Sequence, residues 1–477
     1  MANVELTTRR RNFIVAVMLI SAFVAILNQT LLNTALPSIM RELNINESTS
    51  QWLVTGFMLV NGVMIPLTAY LMDRIKTRPL YLAAMGTFLL GSIVAALAPN
   101  FGVLMLARVI QAMGAGVLMP LMQFTLFTLF SKEHRGFAMG LAGLVIQFAP
   151  AIGPTVTGLI IDQASWRVPF IIIVGIALVA FIFGLISISS YNEVKYTKLD
   201  KRSVMYSTIG FGLMLYAFSS AGDLGFTSPI VIGALIISMV IIYLFIRRQF
   251  NISNALLNLR VFKNRTFALC TISSMMSMVG PALLIPLYVQ NSLSLSALLS
   301  GLVIMPGAII NGIMSVFTGK FYDKYGPRPL IYTGFTILTI TTIMLCFLHT
   351  DTSYTYLIVV YAIRMFSVSL LMMPINTTGI NSLRNEEISH GTAIMNFGRV
   401  MAGSLGTALM VTLMSFGAKI FSSTSPSHLT ATEIKQQSIA IGVDISFAFV
   451  AVLVMAAYVI ALFIREPKEI ESNRRKF

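Results

Sequence analysis

Charge is what this chain has least of. Only 11% of its 477 residues are Asp, Glu, Lys or Arg, against 56% hydrophobic ones, whereas a water-soluble globule carries about a quarter charged residues. A soluble domain is thereby excluded, and lipid is the solvent. Cysteine is nearly absent. Cys270 and Cys346 both lie in apolar runs without polar neighbours, which excludes a disulfide framework and a thiolate metal centre and reads as buried packing. Histidine is as scarce: His134, His349, His390 and His428 fall in loops or at the ends of apolar runs, where a solvated or packing role is expected. No cluster of His, Cys or acidic residues has metal-binding or catalytic spacing. No Gly-rich loop precedes a Lys and a Ser or Thr, which excludes ATP as the drive. An enzyme, a cofactor and a metal are therefore not expected.

Long apolar runs are what the chain does have. A bilayer core of about 30 Å takes about 20 apolar residues of helix, and fourteen such runs follow one another, from 13–36 to 443–464. The first follows Arg9, Arg10 and Arg11 as in a signal peptide, but it is too long and has no small-residue cleavage site, so it stays as a span. An even number of spans returns both termini to one face. With the termini inside, Arg41, Arg167, Lys419 and Lys435 fall outside, Arg108, Arg364 and Arg399 fall within spans, and the rest of the 33 basic residues face the cytoplasm. That asymmetry sets the orientation. It also accounts for the net charge of +15 without a nucleic-acid partner.

The loop after the second run reads Asp73-Arg74-Ile75-Lys76-Thr77-Arg78-Pro79-Leu80, and the loop after the tenth reads Asp323-Lys324-Tyr325-Gly326-Pro327-Arg328-Pro329-Leu330. Asp, a basic residue, three others, then Arg-Pro-Leu recur at the same kind of cytoplasmic junction. The chain thus divides into a six-helix bundle (1–190), two linking helices with basic flanks (191–265), a second six-helix bundle (266–464) and a tail (465–477). Parallel repeats with a site near the midplane are a recurring layout of secondary transporters. An Asp at a helix C-terminus is unfavourable unless cations or a helix N-terminus compensate it, so Asp73, Arg74, Arg78, Asp323, Lys324 and Arg328 are expected to form gating clusters that make and break.

This loop pair resembles the signature of the major facilitator superfamily, which implies an all-α polytopic fold of two six-helix bundles, here with two inserted central helices for fourteen in all. The second copy keeps both glycines of the pattern, Gly319 and Gly326, where the first has Ala69 and Lys76. Ala149-Pro150-Ala151-Ile152-Gly153-Pro154, Gly158 and Ser165-Trp166-Arg167 resemble the antiporter motif of the fourteen-span drug:proton antiporters. In that family Pro150, Gly153, Pro154 and Gly158 would seal the outward side of the cavity. Leu104, Arg108, Gln111, Gly114, Gly116 and Pro120 resemble its fourth-helix motif, with Ala112 where Gly is usual, and the resemblance gives Arg108 a part in proton coupling. Arg108 lies about 9 Å below the outer face at 1.5 Å per residue.

Leu27-Asn28-Gln29-Thr30-Leu31-Leu32-Asn33-Thr34-Ala35-Leu36-Pro37 is similar to the first-helix motif, at about the depth of Arg108. The family's Asp is Asn28 here, and Asn does not titrate. None of the eighteen acidic residues sits deep in a span; Asp73, Asp323, Asp162, Asp223 and Asp444 come nearest. Antiport needs a group whose protonation and drug occupancy exclude each other. Three readings stay open: Asp223, in Gly222-Asp223-Leu224-Gly225, or Asp444 takes the proton; coupling runs through Asp73 and Arg108; or another ion, or none, drives transport.

Uncharged polar residues facing inward are the candidates for ligand contact: Asn28, Gln29, Asn33, Asn61, Gln123, Gln147, Tyr288 and Asn396, each equally able to serve as interhelical glue. Arg364 and Arg399 join them. Three arginines without a central carboxylate disfavour quaternary cations and admit neutral or weakly acidic compounds. Within the family the chain looks most like the bacterial lincomycin-resistance proteins, which implies export of lincosamides and other small drugs across the cytoplasmic membrane, in exchange for protons and as a monomer. An exporter of an anionic metabolite, lipid or nucleotide is the alternative. The Ser- and Thr-rich external stretch 418–442 is expected to form a mobile cap.

Overall fold

The structure is a computed structural model that describes residues 7–161, 164–192, 194, 199–252, 255–279, 284–424 and 430–465. Among them are fifteen α-helices: α1 (Thr8–Leu43), α2 (Glu47–Arg74), α3 (Thr77–Ala96), α4 (Phe101–Leu129), α5 (Arg135–Ile161), α6 (Arg167–Ser187), α7 (Lys201–Leu224), α8 (Pro229–Asn251), α9 (Arg265–Met278), α10 (Leu284–Asn291), α11 (Ala297–Tyr325), α12 (Pro327–Met344), α13 (Tyr354–Asn381), α14 (Ile388–Thr424) and α15 (Ala431–Ala461). Helix ends are set by local chemistry. The side chains of Asn46, Asn100, Asn264 and Ser296 accept the amides of Thr49, Val103, Phe267 and Leu299, satisfying first-turn donors. Asn44 closes α1 in the left-handed conformation at φ 54°, and Gly326, at φ 85°, followed by Pro327, turns the chain from α11 into α12.

Twelve helices among the described residues are long and apolar enough to cross a membrane: α1 to α8, α11, α13, α14 and α15. The 18-residue α12 and the shorter α9 and α10 stand where the sequence places two further spans. Lipid-facing surfaces are apolar: on α8, Ile230, Ile236, Met239, Val240 and Tyr243 are all more than half exposed. Of the expected cap at 418–442, residues 425–429 lie outside the described residues and most of the rest is helical. Residues 418–424 continue α14 and 431–442 open α15, because Thr430 and Glu433 cap each other's backbone amides and the helical period outlasts the apolar run.

The described chain forms two compact units. In the first (1–216, 236–261 and 383–397), α2 and α3 pack on α4, α3 on α6, and α1 on α4, α5 and α6. In the second (217–235, 262–382 and 398–477), α11 and α12 pack on α13, α12 on α15, and α9 on α13 and α15. The pairings correspond if α11, α12 and α13 stand for α2, α3 and α4, α15 for α6, and α9 for α1. Backbones approach closely where side chains vanish, as membrane helices do at small residues: a Cβ at Gly114 would lie 2.5 Å from the Ala84 carbonyl oxygen of α3, and one at Gly442 would lie 2.2 Å from that of Met414 on α14.

Candidate functional site

Arg108 is wholly buried on α4. Its Nε donates to the Leu53 carbonyl of α2 (3.2 Å), and its Nη1 donates to the Asn28 carbonyl of α1 (3.4 Å) and to Gln111 Oε1 (3.0 Å). Gln111 Nε2 passes the network to Ser92 Oγ of α3 at 3.1 Å. The guanidinium stacks over the Phe57 ring, 4.2 Å from its centroid. Four helices therefore meet on one cation, and no carboxylate pairs with it among the described residues. Nη2 and both side-chain atoms of Asn28 have no hydrogen-bond partner. The sequence matched Asn28 and Arg108 in depth, and the two do meet, through the Asn28 backbone.

Asp73 lies at the end of α2. Its Oδ1 accepts from Ser389 Oγ at 2.5 Å and its Oδ2 lies 3.2 Å from His390 Nε2, both on the first turn of α14, which belongs to the same unit as α2 as far as residue 397. Arg74 reaches Tyr70 Oη (3.0 Å) and Arg78 the Leu185 carbonyl (2.9 Å). The loop itself is held by Asn192, whose amide donates to the Met72 and Ile75 carbonyls and accepts from Thr77 N and Oγ1, all at 2.7–2.9 Å. Neither His390 nor Asn192 follows from the sequence pattern; His390, expected to be solvated or packing, is only 8% exposed, accepts the Asn258 amide at Nδ1 and brings Nε2 to 3.2 Å from Asp73 Oδ2. In the second copy, Asp323 is half-buried, Arg328 is exposed and Lys324 lies over the Tyr325 ring.

On α5, Pro150 is exposed and Gly153 faces α1, where a Cβ would come within 2.5 Å of Thr30 Oγ1. The side-chain surroundings of Pro154 and Gly158 lie outside the described residues, as do those of Asn33 and Asp223. Beyond this segment, Trp166 Nε1 donates to Glu42 Oε2 at 2.8 Å, while Arg167 pairs with Glu42 Oε1, donates to the Ala98 carbonyl and covers the Trp166 ring. This clasp joins the ends of α1, α3 and α6. The Arg167 guanidinium holds the Glu42 carboxyl below its ordinary value of 4.5. A depressed carboxylate contributes stability above its unfolded pKa and loses it as pH falls through the folded one. Glu42→Gln therefore lowers the melting temperature of purified protein slightly at neutral pH, and the difference from wild type closes as the pH is taken down through the lowered pKa of Glu42.

Of the polar ligand candidates, two join directly: Asn396 Nδ2 donates to Gln123 Oε1 at 2.7 Å, both buried in the first unit. Gln29, Asn61 and Gln147 are half-buried. Tyr288 is buried but spends its hydroxyl on the His349 carbonyl (2.5 Å). Arg364, on α13, is buried with Nε unpartnered; Arg399 is half-buried on α14. Asp444, expected at the start of the last span, sits well inside α15, where its Oδ1 accepts the Leu348 amide at 3.0 Å. Cys270 is buried as expected, whereas Cys346 is only partly so.

Residues 18–407 match the Major Facilitator Superfamily. The chain is 40% identical over 469 residues to an uncharacterized MFS-type transporter, YcnB, of Bacillus subtilis, covering 98% of each. It is 39% identical to the lincomycin resistance protein LmrB of the same organism, over 94% of this chain and 95% of that one. The crystal structure of the human organic anion transporter MFSD10 superposes with a TM-score of 0.62 at 12% identity, covering 94% of this chain and 99% of that one, a likeness of fold. Helices long and apolar enough to cross a membrane, together with the family match along most of the chain, define a membrane carrier. The chain belongs to the Major Facilitator Superfamily. It is a multi-pass protein of the cytoplasmic membrane and a transporter, not an enzyme.

Proposed function

We propose that this protein exports structurally diverse small antibiotics, lincosamide-like and neutral or weakly charged, from the bacterial cytoplasm by alternating access in exchange for protons. It does so as a monomer with fourteen spans and both termini inside. The observation that carries the cargo class is the character of the buried residues: amides such as Gln123 and Asn396, the arginines Arg108 and Arg364, the half-buried Arg399, and no acid among the buried polar and charged residues described. Amides offer hydrogen bonds without charge, and apolar walls accept varied shapes. A quaternary cation would meet only like charge.

Asp444 is the residue we assign to the proton. It is the carboxylate placed well within a spanning helix, and its single backbone hydrogen bond from Leu348 leaves the other oxygen for a proton. Binding a proton there from outside and losing it inside would return the empty carrier, while Arg108 holds α1, α2 and α4 together as they move. The partnerless nitrogens of Arg108 and Arg364 favour a second reading, an anionic metabolite, lipid or nucleotide as cargo. Accumulation of labelled lincomycin in an efflux-deficient bacterial host separates the two. Expression lowers accumulation several-fold under the first reading, and leaves it unchanged under the second.

A further inference from the structure

The two inserted helices, α7 and α8, end in a run of hydrogen bonds that leads to Asp73. Asp200, one residue before α7, accepts from Arg248 of α8 through Nε (2.5 Å) and Nη2 (2.9 Å), and from Ser203 Oγ (2.5 Å). Ser203 Oγ accepts in turn from Gln249 Nε2 at 2.7 Å, and Gln249 Oε1 accepts the Leu257 amide at 3.2 Å. The next amide, that of Asn258, donates to His390 Nδ1 at 3.2 Å. His390 Nε2 then faces Asp73 Oδ2 at 3.2 Å. Every residue of this run belongs to the first unit. Ser203, Gln249, Leu257 and His390 are all buried, so water does not compete for these bonds as it does at a surface.

The direction of the bonds fixes the histidine. An amide donating to Nδ1 requires a lone pair there, which puts the proton on Nε2, where it donates to the Asp73 carboxylate. Without the Asn258 contact the ring is free to rotate or to change tautomer, and either change removes the donor from Asp73. Resting on the reading of Asp73 as a gate, we infer that His390 is a positioning residue of that gate and that the inserted pair α7 and α8 sets the gate's strength through it. The pair thereby has a task apart from lining a transport path: it clamps the segment that orients His390.

The test reads the gate without any cargo. Thr392, 1% exposed and on the same helix as His390, is replaced by Cys in a Cys270→Ser, Cys346→Ser background, and its reaction with a membrane-impermeant maleimide is timed in everted vesicles. Losing one buried hydrogen bond to a charged partner raises the labelling rate about tenfold, so His390→Ala and Gln249→Leu should each increase it, the latter less. The two substitutions together should label no faster than His390→Ala alone. His390→Asn keeps an acceptor for Asn258 but does not reach Asp73, and it labels as fast as His390→Ala. His390→Gln keeps a donor for Asp73, labels close to the parent rate and loses its sensitivity to Gln249→Leu. Multiplying effects in the double variant, or a Gln249→Leu effect that persists in His390→Gln, overturn the proposal. Where His390→Ala does not reach the membrane, the His390→Gln comparison decides alone. Because no drug is present, a failed drug assay leaves this result standing, and a failed labelling result leaves the cargo assignment standing.

Discussion

Arg108→Met should abolish drug export while leaving the protein at least as stable as wild type. A guanidinium in the hydrocarbon region costs at least about 2.5 kcal/mol on insertion scales, and exchange of a buried ionic group for an apolar side chain of similar volume is often neutral or stabilising by about 1–4 kcal/mol. Met extends an apolar side chain toward the Phe57 ring, over which the guanidinium now stacks. What it removes are the bonds to Leu53, Asn28 and Gln111, which tie α1 and α2 to α4 through one head group able to exchange partners as helices shift. A fall in export of at least about 100-fold, or roughly 3 kcal/mol, with an unchanged or raised melting temperature, marks Arg108 as part of the transport cycle. Export retained with a lowered melting temperature would make it a structural tie.

Gly442→Ala should have the largest effect on folding. The added Cβ would lie 2.2 Å from the Met414 carbonyl oxygen and 2.9 Å from its carbonyl carbon, both backbone atoms of α14, so no side chain can move aside. The α14 and α15 backbones must separate, which costs about 1–3 kcal/mol for one methyl group in a packed interior. A drop of several degrees in the melting temperature is expected, together with weaker export because Asp444 lies on the displaced helix. Gly175→Ala and Gly233→Ala are the comparison: nothing lies within 4 Å of either added carbon, and alanine favours a helix by about 1 kcal/mol over glycine. Equal melting temperatures for all three would contradict the close contact.

The apolar helices were legible because lipid imposes one requirement on every residue of a helix, and twelve helices among the described residues are long and apolar enough to cross a membrane, against the fourteen runs expected. The repeated Asp-basic-Arg-Pro-Leu loop follows α2 and α11, which pack on α4 and α13 in corresponding ways, and Asn28 and Arg108, matched in depth, meet between α1 and α4. The partners of Asp73 were not legible. Asp73 meets Ser389 and His390, far away in sequence and without a periodic signal, and Asn192 supports the loop from a stretch that reads as plain linker. Glu42 escaped notice because a single exposed acid at a helix end has no pattern. The helical state of 418–424 and 431–442 was not legible either: a Ser- and Thr-rich stretch was read as a cap, although these residues belong to α14 and α15, the second opened by the Thr430–Glu433 capping box.

Proton-driven export is the claim on which the rest depends, and uptake of labelled lincomycin into everted vesicles tests it most directly. The pH gradient and the voltage are collapsed separately, on wild type and on Asp444→Asn. Uptake that requires the pH gradient and disappears in Asp444→Asn is the predicted result. Uptake indifferent to the gradient, or undiminished in Asp444→Asn, would contradict the assignment of the proton to α15.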